Sequence, residues 1–164
     1  MNRHQEQVTR VFEDARDDVY RYLLTFGLPP PQAQEATQDV FLRLYMALEH
    51  GDEIQNLRAW TFRAAHNLGL DLRAKHQPLP IQPELERALR DTAASIETDL
   101  IERQRMAQLS SAWQTLSPQQ RQCLHLRSEG LRYREIAAAM DISISSVREF
   151  LSRAVARLQK AVHE

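Results

Sequence analysis

The sequence predicts an all-α protein in which two small helical domains are joined by a proline-rich linker. Apolar residues recur every three or four positions, as they do along one face of a helix, and no stretch alternates in the manner of a strand. Three prolines fall within 78–83, where they favour an extended segment. We therefore predict domains at 5–75 and 96–164, a linker at 76–95, and few contacts between the two domains.

Three helices are predicted in the first domain. An apolar stripe over Val8–Phe26 marks the first helix, which ends in Gly27–Pro31 because proline cannot continue a helix. The second helix covers about Gln32–Leu48 and breaks at His50–Glu53, and the third covers about Leu57–Lys75. Each helix has an apolar face, so the three can close a small core by themselves.

The second domain is predicted to be helical throughout. Helix-prone sequence covers about 84–116. A new helix then begins, because Ser117 can serve as its N-cap, Pro118 as its first residue and Gln120 as the third residue of a capping box. This helix ends before Gly130, which suits the left-handed position that follows a helix.

The last part of the chain has the pattern of a helix-turn-helix. A short helix at about 133–140 and a long one at about 145–162, with Ser145 as its N-cap, are separated by a tight turn. Ala137 is small enough for the helices to cross closely, and Asp141 can enter the left-handed region at lower cost than most residues. The predicted inner face is apolar: Ile136, Met140, Ile142, Val147, Leu151 and Ala154. A helical hairpin with solvated arginines would show the same pattern.

Charge is distributed unevenly along the chain. The whole protein has 21 Lys and Arg against 22 Asp and Glu, a formal net charge of −1, which by itself argues against nucleic-acid binding. Residues 117–164, however, carry 8 basic against 5 acidic side chains. This C-terminal excess can replace phosphate counterions, although a solvated charge asymmetry would look the same.

Residue content argues against an enzyme and against a cofactor. The histidines lack metal-ligand spacing, no phosphate-binding glycine loop is present, and Cys123 falls on a predicted buried helix face. No metal site or cofactor is therefore expected. The first 18 residues lack the apolar core of a signal peptide and no run is long enough to span a membrane, so we expect a cytoplasmic protein without membrane insertion.

Both halves of the chain resemble extracytoplasmic-function (ECF) sigma factors of the sigma-70 family. The resemblance covers nearly the whole chain, and the paired blocks in this order are more specific than a helix-turn-helix alone. The blocks similar to region 4, which reads the −35 promoter element, are Leu116–Arg121, Gly130–Ala137 and Ser143–Arg148. The blocks similar to region 2, which contacts polymerase and opens the −10 element, are Ala36–Leu44, Leu57–Asn67 and Asp71–Arg73.

The resemblance implies three sets of site residues and three partners: core RNA polymerase through its clamp helices, promoter DNA, and an anti-sigma factor. The set for the −35 element, on the outer face of the last helix, is Ser145, Ser146, Arg148, Glu149, Ser152 and Arg153. The set for the −10 element is Trp60, Arg63, His66, Asn67 and Arg73, with the loop 51–56 beside it. The set for polymerase is Gln38, Asp39, Leu42 and Arg43. For Trp60 a position in the core is an equal alternative.

Two other functions are compatible with the same residues. One is a stand-alone helix-turn-helix regulator that never contacts polymerase, and the other is a sigma mimic that titrates an anti-sigma factor. Co-purification with core polymerase separates the first from a sigma factor, and DNA binding by the holoenzyme separates the second. The phrase Ser143–Val147 further resembles the iron-starvation subgroup of ECF factors, whose members answer to a membrane anti-sigma regulator and an outer-membrane transducer.

Overall fold

The computed structural model describes residues 2–75 and 100–163, which form seven helices and no strand. The prediction of an all-α fold with two helical parts is confirmed, while the domain bounds 5–75 and 96–164 stay predictions. We call residues 2–75 the N-terminal unit and residues 100–163 the C-terminal unit. The predicted linker at 76–95 lies outside the described residues. The helices are α1 (Arg3–Leu24), α2 (Pro30–His50), α3 (Leu57–Lys75), α4 (Leu100–Thr115), α5 (Pro118–Ser128), α6 (Tyr133–Met140) and α7 (Ile144–His163).

Helices α1 to α3 pack around an aromatic centre in the N-terminal unit. Tyr22, Phe26 and Phe62 are all buried, and the ring of Tyr22 meets the other two edge-on at centroid distances of 5.5 and 5.9 Å. Edge-to-face pairs of this kind add stability beyond the apolar area that they bury. Gly51, at φ 97°, ends α2 in the left-handed conformation and starts the loop to α3.

Gly69 lets α3 approach the end of α1 more closely than any other residue could. A Cβ atom placed there would lie 2.8 Å from ring carbons of Phe26. We expect Gly69→Ala to lower the free energy of unfolding by about 1–2 kcal/mol, because overpacking of about 1–3 kcal/mol outweighs the helix propensity that alanine gains. Urea titration measures the change. Leu70→Ala, at an exposed position of α3, is the control and should shift stability far less. A stabilised Gly69→Ala protein would contradict this packing.

Three of the helix ends and turns predicted for the C-terminal unit are confirmed. Ser117 and Gln120 form a reciprocal capping box at the start of α5, with N–H to oxygen distances of 3.0 and 3.1 Å. Gly130 has φ 89°, and Asp141 has φ 55° in the turn between α6 and α7. Cys123 is buried as predicted, and its thiol lies 3.4 Å from the sulfur of Met140.

The start of α7 corrects one prediction. The helix begins at Ile144, and its N-cap is Ser143 rather than Ser145, since the hydroxyl oxygen of Ser143 accepts from the backbone N–H of Ser146 at 3.0 Å. Both serines can cap a helix, and the sequence did not distinguish them. The correction moves Ser145 from the cap to the exposed first turn of α7.

The expectation of few contacts between the two units is wrong for the arrangement described. Helix α6 packs against α3, and buried residues of both units belong to one continuous apolar cluster. The ring of His125 on α5 lies 5.3 Å from that of Tyr22 on α1. A proline-rich linker determines how two units are joined, but it says nothing of whether their surfaces are complementary.

Candidate nucleic-acid and polymerase interfaces

The outer face of α7 carries the side chains predicted to read DNA. Helix α7 is held down by Val147, Leu151 and Ala154, which are buried against the rest of the C-terminal unit. The opposite face is exposed and consists of Ser145, Arg148, Glu149, Ser152 and Arg153. Because the first turn of α7 also points outward, the helix could enter a major groove N-terminus first.

Ser146 and Arg157 are less available than the rest of that face. Ser146 is half-buried, and its hydroxyl oxygen accepts a hydrogen bond of 2.9 Å from Ser143, so it supports the helix start. Arg157 lies further along α7 and donates to the carbonyl oxygen of Thr115 at 2.6 Å. This bond ties α7 to the end of α4, and it gives Arg157 a structural role.

Charge on the outer face of α7 is partly neutralised within the helix. Glu149 and Arg153 form an ion pair of 2.7 Å one turn apart, with both side chains exposed. Arg148 has no ion pair among residues 2–75 and 100–163. Arg148 is therefore the guanidinium on this face most ready to bind guanine or a phosphate.

Residues predicted to contact the −10 element lie together on α3. Trp60, Arg63 and Asn67, with Arg43 from α2, line an open cavity of about 270 Å³. Trp60 is half-buried, so its ring both packs in the unit and borders the cavity, whereas Arg63 and Asn67 are exposed. Aromatic, amide and guanidinium groups around one cavity suit a nucleobase with its phosphates.

His66 does not belong to this surface. It is 3% exposed, and its Nδ1 lies 2.7 Å from the hydroxyl of Tyr22. Burial lowers the pKa of His66 to about 4, so the ring is neutral at physiological pH. We therefore leave His66 out of the DNA-contacting set. Arg73, in the last turn of α3, is half-buried and stays in the set.

The buried histidines should make the protein acid-sensitive. His66 and His125 both have a pKa of about 4 in the folded protein, mainly through burial, against 6.5 when exposed. The unfolded chain therefore takes up two protons between about pH 6.5 and 4 that the folded protein does not. Glu129 has the opposite effect: burial chiefly raises its pKa to about 7, so the folded protein takes up one proton there before the unfolded chain does.

In sum, the unfolded chain takes up one more proton than the folded protein does. The free energy of unfolding should therefore fall by about 1.4 kcal/mol for each unit by which the pH is lowered between about 6.5 and 4.5. Urea titrations across this range measure the slope. His66→Gln should flatten it, while His163→Gln, at the exposed end of α7, should leave it parallel to that of the unmodified protein. Parallel slopes for all three proteins would contradict the assignment to His66.

The exposed face of α2 combines an ion pair with apolar side chains. Gln38 is exposed, and Asp39 and Arg43 form an ion pair of 3.2 Å one turn apart. Leu42 and Met46 lie on the same face, and they are 56% and 59% exposed. Two neighbouring exposed apolar side chains within a polar rim are typical of a protein–protein interface.

Comparison with known proteins matches two parts of the chain to two regions of one family. Residues 11–78 match sigma-70 region 2, and residues 106–158 match sigma-70 region 4. The chain belongs to the sigma-70 family. It is 26% identical over 154 residues to the ECF RNA polymerase sigma factor SigM of Bacillus subtilis, a match that covers 93% of each chain.

Two solved structures share the fold of this sigma factor. CnrH, solved in complex with the cytosolic domain of CnrY, superposes with a TM-score of 0.64 at 22% identity, covering 97% of this chain and 89% of that one. RpoE, solved with the anti-sigma factor NepR from Bartonella quintana, gives a TM-score of 0.64 at 19% identity over 96% and 98% of the two chains.

Three features of this sigma factor were missed by reasoning from sequence. Met46 extends the apolar face of α2, and Leu70, 46% exposed, extends that of α3. Neither residue was assigned to a face by the sequence analysis, although i, i+4 spacing from Leu42 could have indicated Met46. The third feature is Asn56, whose side chain contacts the C-terminal unit. No sequence signal pointed to that long-range bond.

Neither a metal centre nor a membrane span is found in the described parts of the sigma factor. Within 2–75 and 100–163, no group of three or more His, Cys, Asp or Glu side chains could hold a metal ion. In the same residues, no helix combines the length and apolar character needed to cross a bilayer.

Proposed function

We propose that this sigma factor binds core RNA polymerase through the exposed face of α2 and selects promoters through α3 and the outer face of α7. The observation that carries the proposal is the placement of polar side chains on exposed faces of α2, α3 and α7, while the opposite face of each helix is apolar and buried. Base edges are read by side chains on such a rigid support.

The proposed −35 contacts are those of the outer face of α7, with Arg148 at its centre. For the −10 element we propose that single-stranded DNA crosses the cavity lined by Trp60, Arg63 and Asn67, because aromatic stacking and basic groups together suit unstacked bases. The half-buried Arg73 would contact the same strand from the last turn of α3. The −35 set on α7 and the −10 set on α3 share no residue, so mutations can test these two sets separately.

An anti-sigma factor is the further partner that we propose. One structural neighbour was solved with a protein named as an anti-sigma factor, which supports such regulation here. The resemblance of Ser143–Val147 to the iron-starvation subgroup leads us to propose a membrane-bound regulator of that type. We further propose that the protein acts in the cytoplasm, where its polymerase is, and that it has no catalytic activity of its own.

The decisive experiment is transcription in vitro by core RNA polymerase with and without this protein on a library of promoter fragments. We expect a distinct set of fragments to be transcribed only when the protein is present. Core polymerase that gains no promoter-specific activity from the protein would overturn the proposal. If the protein instead bound promoter DNA alone, without polymerase, it would be a stand-alone regulator.

A further inference from the structure

One large apolar side chain is exposed at the start of the helix that carries the −35 set. Ile144 is the first residue of α7, and it is 42% exposed. Within residues 144–151, the other exposed side chains are polar: Ser145, Arg148 and Glu149. The predicted −35 set does not include Ile144, so the exposure of an apolar group at this place has a cause outside that set.

The fold does not require an apolar side chain at position 144. Ile142, two residues earlier, packs against the core cluster, and Val147 is buried within it. Among the described residues, Ile144 belongs neither to that cluster nor to the half-buried apolar side chains around it. A β-branched residue also has a lower helix propensity than alanine. Ile144 therefore contributes little to the fold, either by burial or by helix propensity.

The first turn of α7 holds Ile144 in a defined position. The hydroxyl oxygen of Ser143 accepts from the backbone N–H of Ser146 at 3.0 Å, and its carbonyl oxygen accepts from that of Val147 at 3.1 Å. In a helix, a β-branched side chain has one strongly preferred rotamer. An apolar surface is thus presented at a fixed place, and little side-chain entropy is lost when a ligand covers it.

The C5-methyl group of thymine is the apolar feature that a base edge offers in the major groove. It is recognised by apolar contact, whereas arginine, serine and glutamate side chains bind the hydrogen-bonding atoms of base edges. The residues that contact base edges lie at the N-terminal end of a recognition helix. An exposed isoleucine in the first turn of α7 is therefore chemically matched to a thymine.

Position along the helix distinguishes Ile144 from an ordinary exposed apolar residue. Single exposed apolar side chains are common on protein surfaces. Val155 is one of them on the same helix: it is β-branched and 41% exposed, but it lies about three turns beyond Ile144. Only Ile144 stands in the turn that enters a groove first, and Val155 provides a matched comparison.

We propose that Ile144 contacts the C5-methyl group of one thymine in the −35 element and so selects an A·T pair in one orientation. This inference rests on the proposed entry of α7 into the major groove. Arg148 lies one helical turn further on, where Cβ atoms are about 5–6 Å apart. Since successive bases of one strand are ~3.4 Å apart, the thymine should lie within about two base pairs of the position that Arg148 contacts.

Replacement of thymine by deoxyuridine isolates this contact, because it removes the methyl group and keeps every hydrogen-bonding atom of the base. The probe is the promoter fragment that the unmodified holoenzyme transcribes best from the library, with each −35 thymine of either strand replaced in turn. Competition binding to the holoenzyme measures the affinity. We expect one replacement to lower it about fourfold, which corresponds to ~0.8 kcal/mol for one methyl-sized group.

Ile144→Ala should abolish the response to that methyl group. Its holoenzyme should bind the thymine promoter at least about fourfold less tightly, and deoxyuridine should cause no further loss because the two changes remove the same contact. Alanine at an exposed helix position preserves the fold. Val155→Ala is the matched control, and its holoenzyme should keep both the affinity and the deoxyuridine response of the unmodified protein.

Three results overturn this inference alone: promoter selection that is insensitive to every −35 methyl group, a deoxyuridine response that persists in Ile144→Ala, or one that is lost equally in Val155→Ala. A holoenzyme that selects no promoter overturns the proposed function together with the role of Ile144. Promoter selection and methyl sensitivity are measured separately, so the two failures are distinguishable.

Discussion

A protein in which Asp39 and Arg43 exchange their charges should fail to form a holoenzyme. The double variant Asp39→Arg/Arg43→Asp keeps an ion pair one turn apart on α2, so the helix retains its local interaction and the fold should stay within about 0.5 kcal/mol of its original stability. For a polymerase surface matched to the original order, both charges become repulsive, which costs several kcal/mol. We expect the affinity for core polymerase to fall by about 100-fold or more.

A second substitution on the exposed face of α2 should also prevent holoenzyme assembly. Leu42→Glu places a charge among side chains that a partner would desolvate, and it too should abolish assembly without unfolding the exposed position. Size-exclusion co-elution with core polymerase measures both variants. The exchange Arg16→Asp/Asp17→Arg, at an exposed ion pair on α1, is the control and should assemble normally. Normal assembly of the α2 variants would place the polymerase contact elsewhere.

Local signals in the sequence were sufficient for the helices and for most of their ends. Proline, glycine and capping residues act over a few positions, so Ser117, Gly130 and Asp141 could be assigned from their neighbours alone. Where two capping residues stood close together, as at Ser143 and Ser145, the sequence did not decide between them. The side-chain hydrogen bond to Ser146 does.

Long-range contacts were beyond that kind of reasoning. His66 was predicted to contact DNA from its place beside aromatic, amide and basic residues. In the structure it is buried and hydrogen-bonded to Tyr22, which is 44 positions away in the sequence. The bond between Asn56 and Glu135 spans 79 positions and joins the two units. No periodicity reports such pairs, so the packing of the two units could not be anticipated from the chain.

In the candidate site, too, the sequence predicted some features and not others. Exposure of α7 and α2 followed from helical periodicity, because a buried face at Val147 and Leu151 requires an outer face at Arg148 and Ser152. The pairing of charges within that outer face did not follow from periodicity alone. Glu149 and Arg153 were both predicted to contact DNA, but they form an ion pair with each other, and this alters what each substitution should do.

Promoter selection should therefore respond differently to the three charged residues of α7. If Arg148 binds guanine with two hydrogen bonds, Arg148→Ala should cost about 1–3 kcal/mol and relax selectivity at one −35 position. If Arg148 binds a phosphate instead, Arg148→Ala should lower the affinity for all promoters by a similar factor, and the affinity should depend less steeply on salt concentration. Glu149→Ala and Arg153→Ala should be non-additive, because each frees the partner of a 2.7 Å ion pair.

Sequencing of the promoters that each holoenzyme selects from a randomised −35 library distinguishes these outcomes. Glu149→Ala releases Arg153 toward DNA and should strengthen binding while shifting the preferred base, whereas the double variant with Arg153→Ala should lose that gain. Arg103→Ala, exposed on α4, removes a similar charge away from α7 and should leave the selected sequences unchanged. If none of the substitutions at 148, 149 and 153 alters which −35 sequences are chosen, the outer face of α7 does not read the promoter, because side chains that contact base edges cannot be removed without changing base preference.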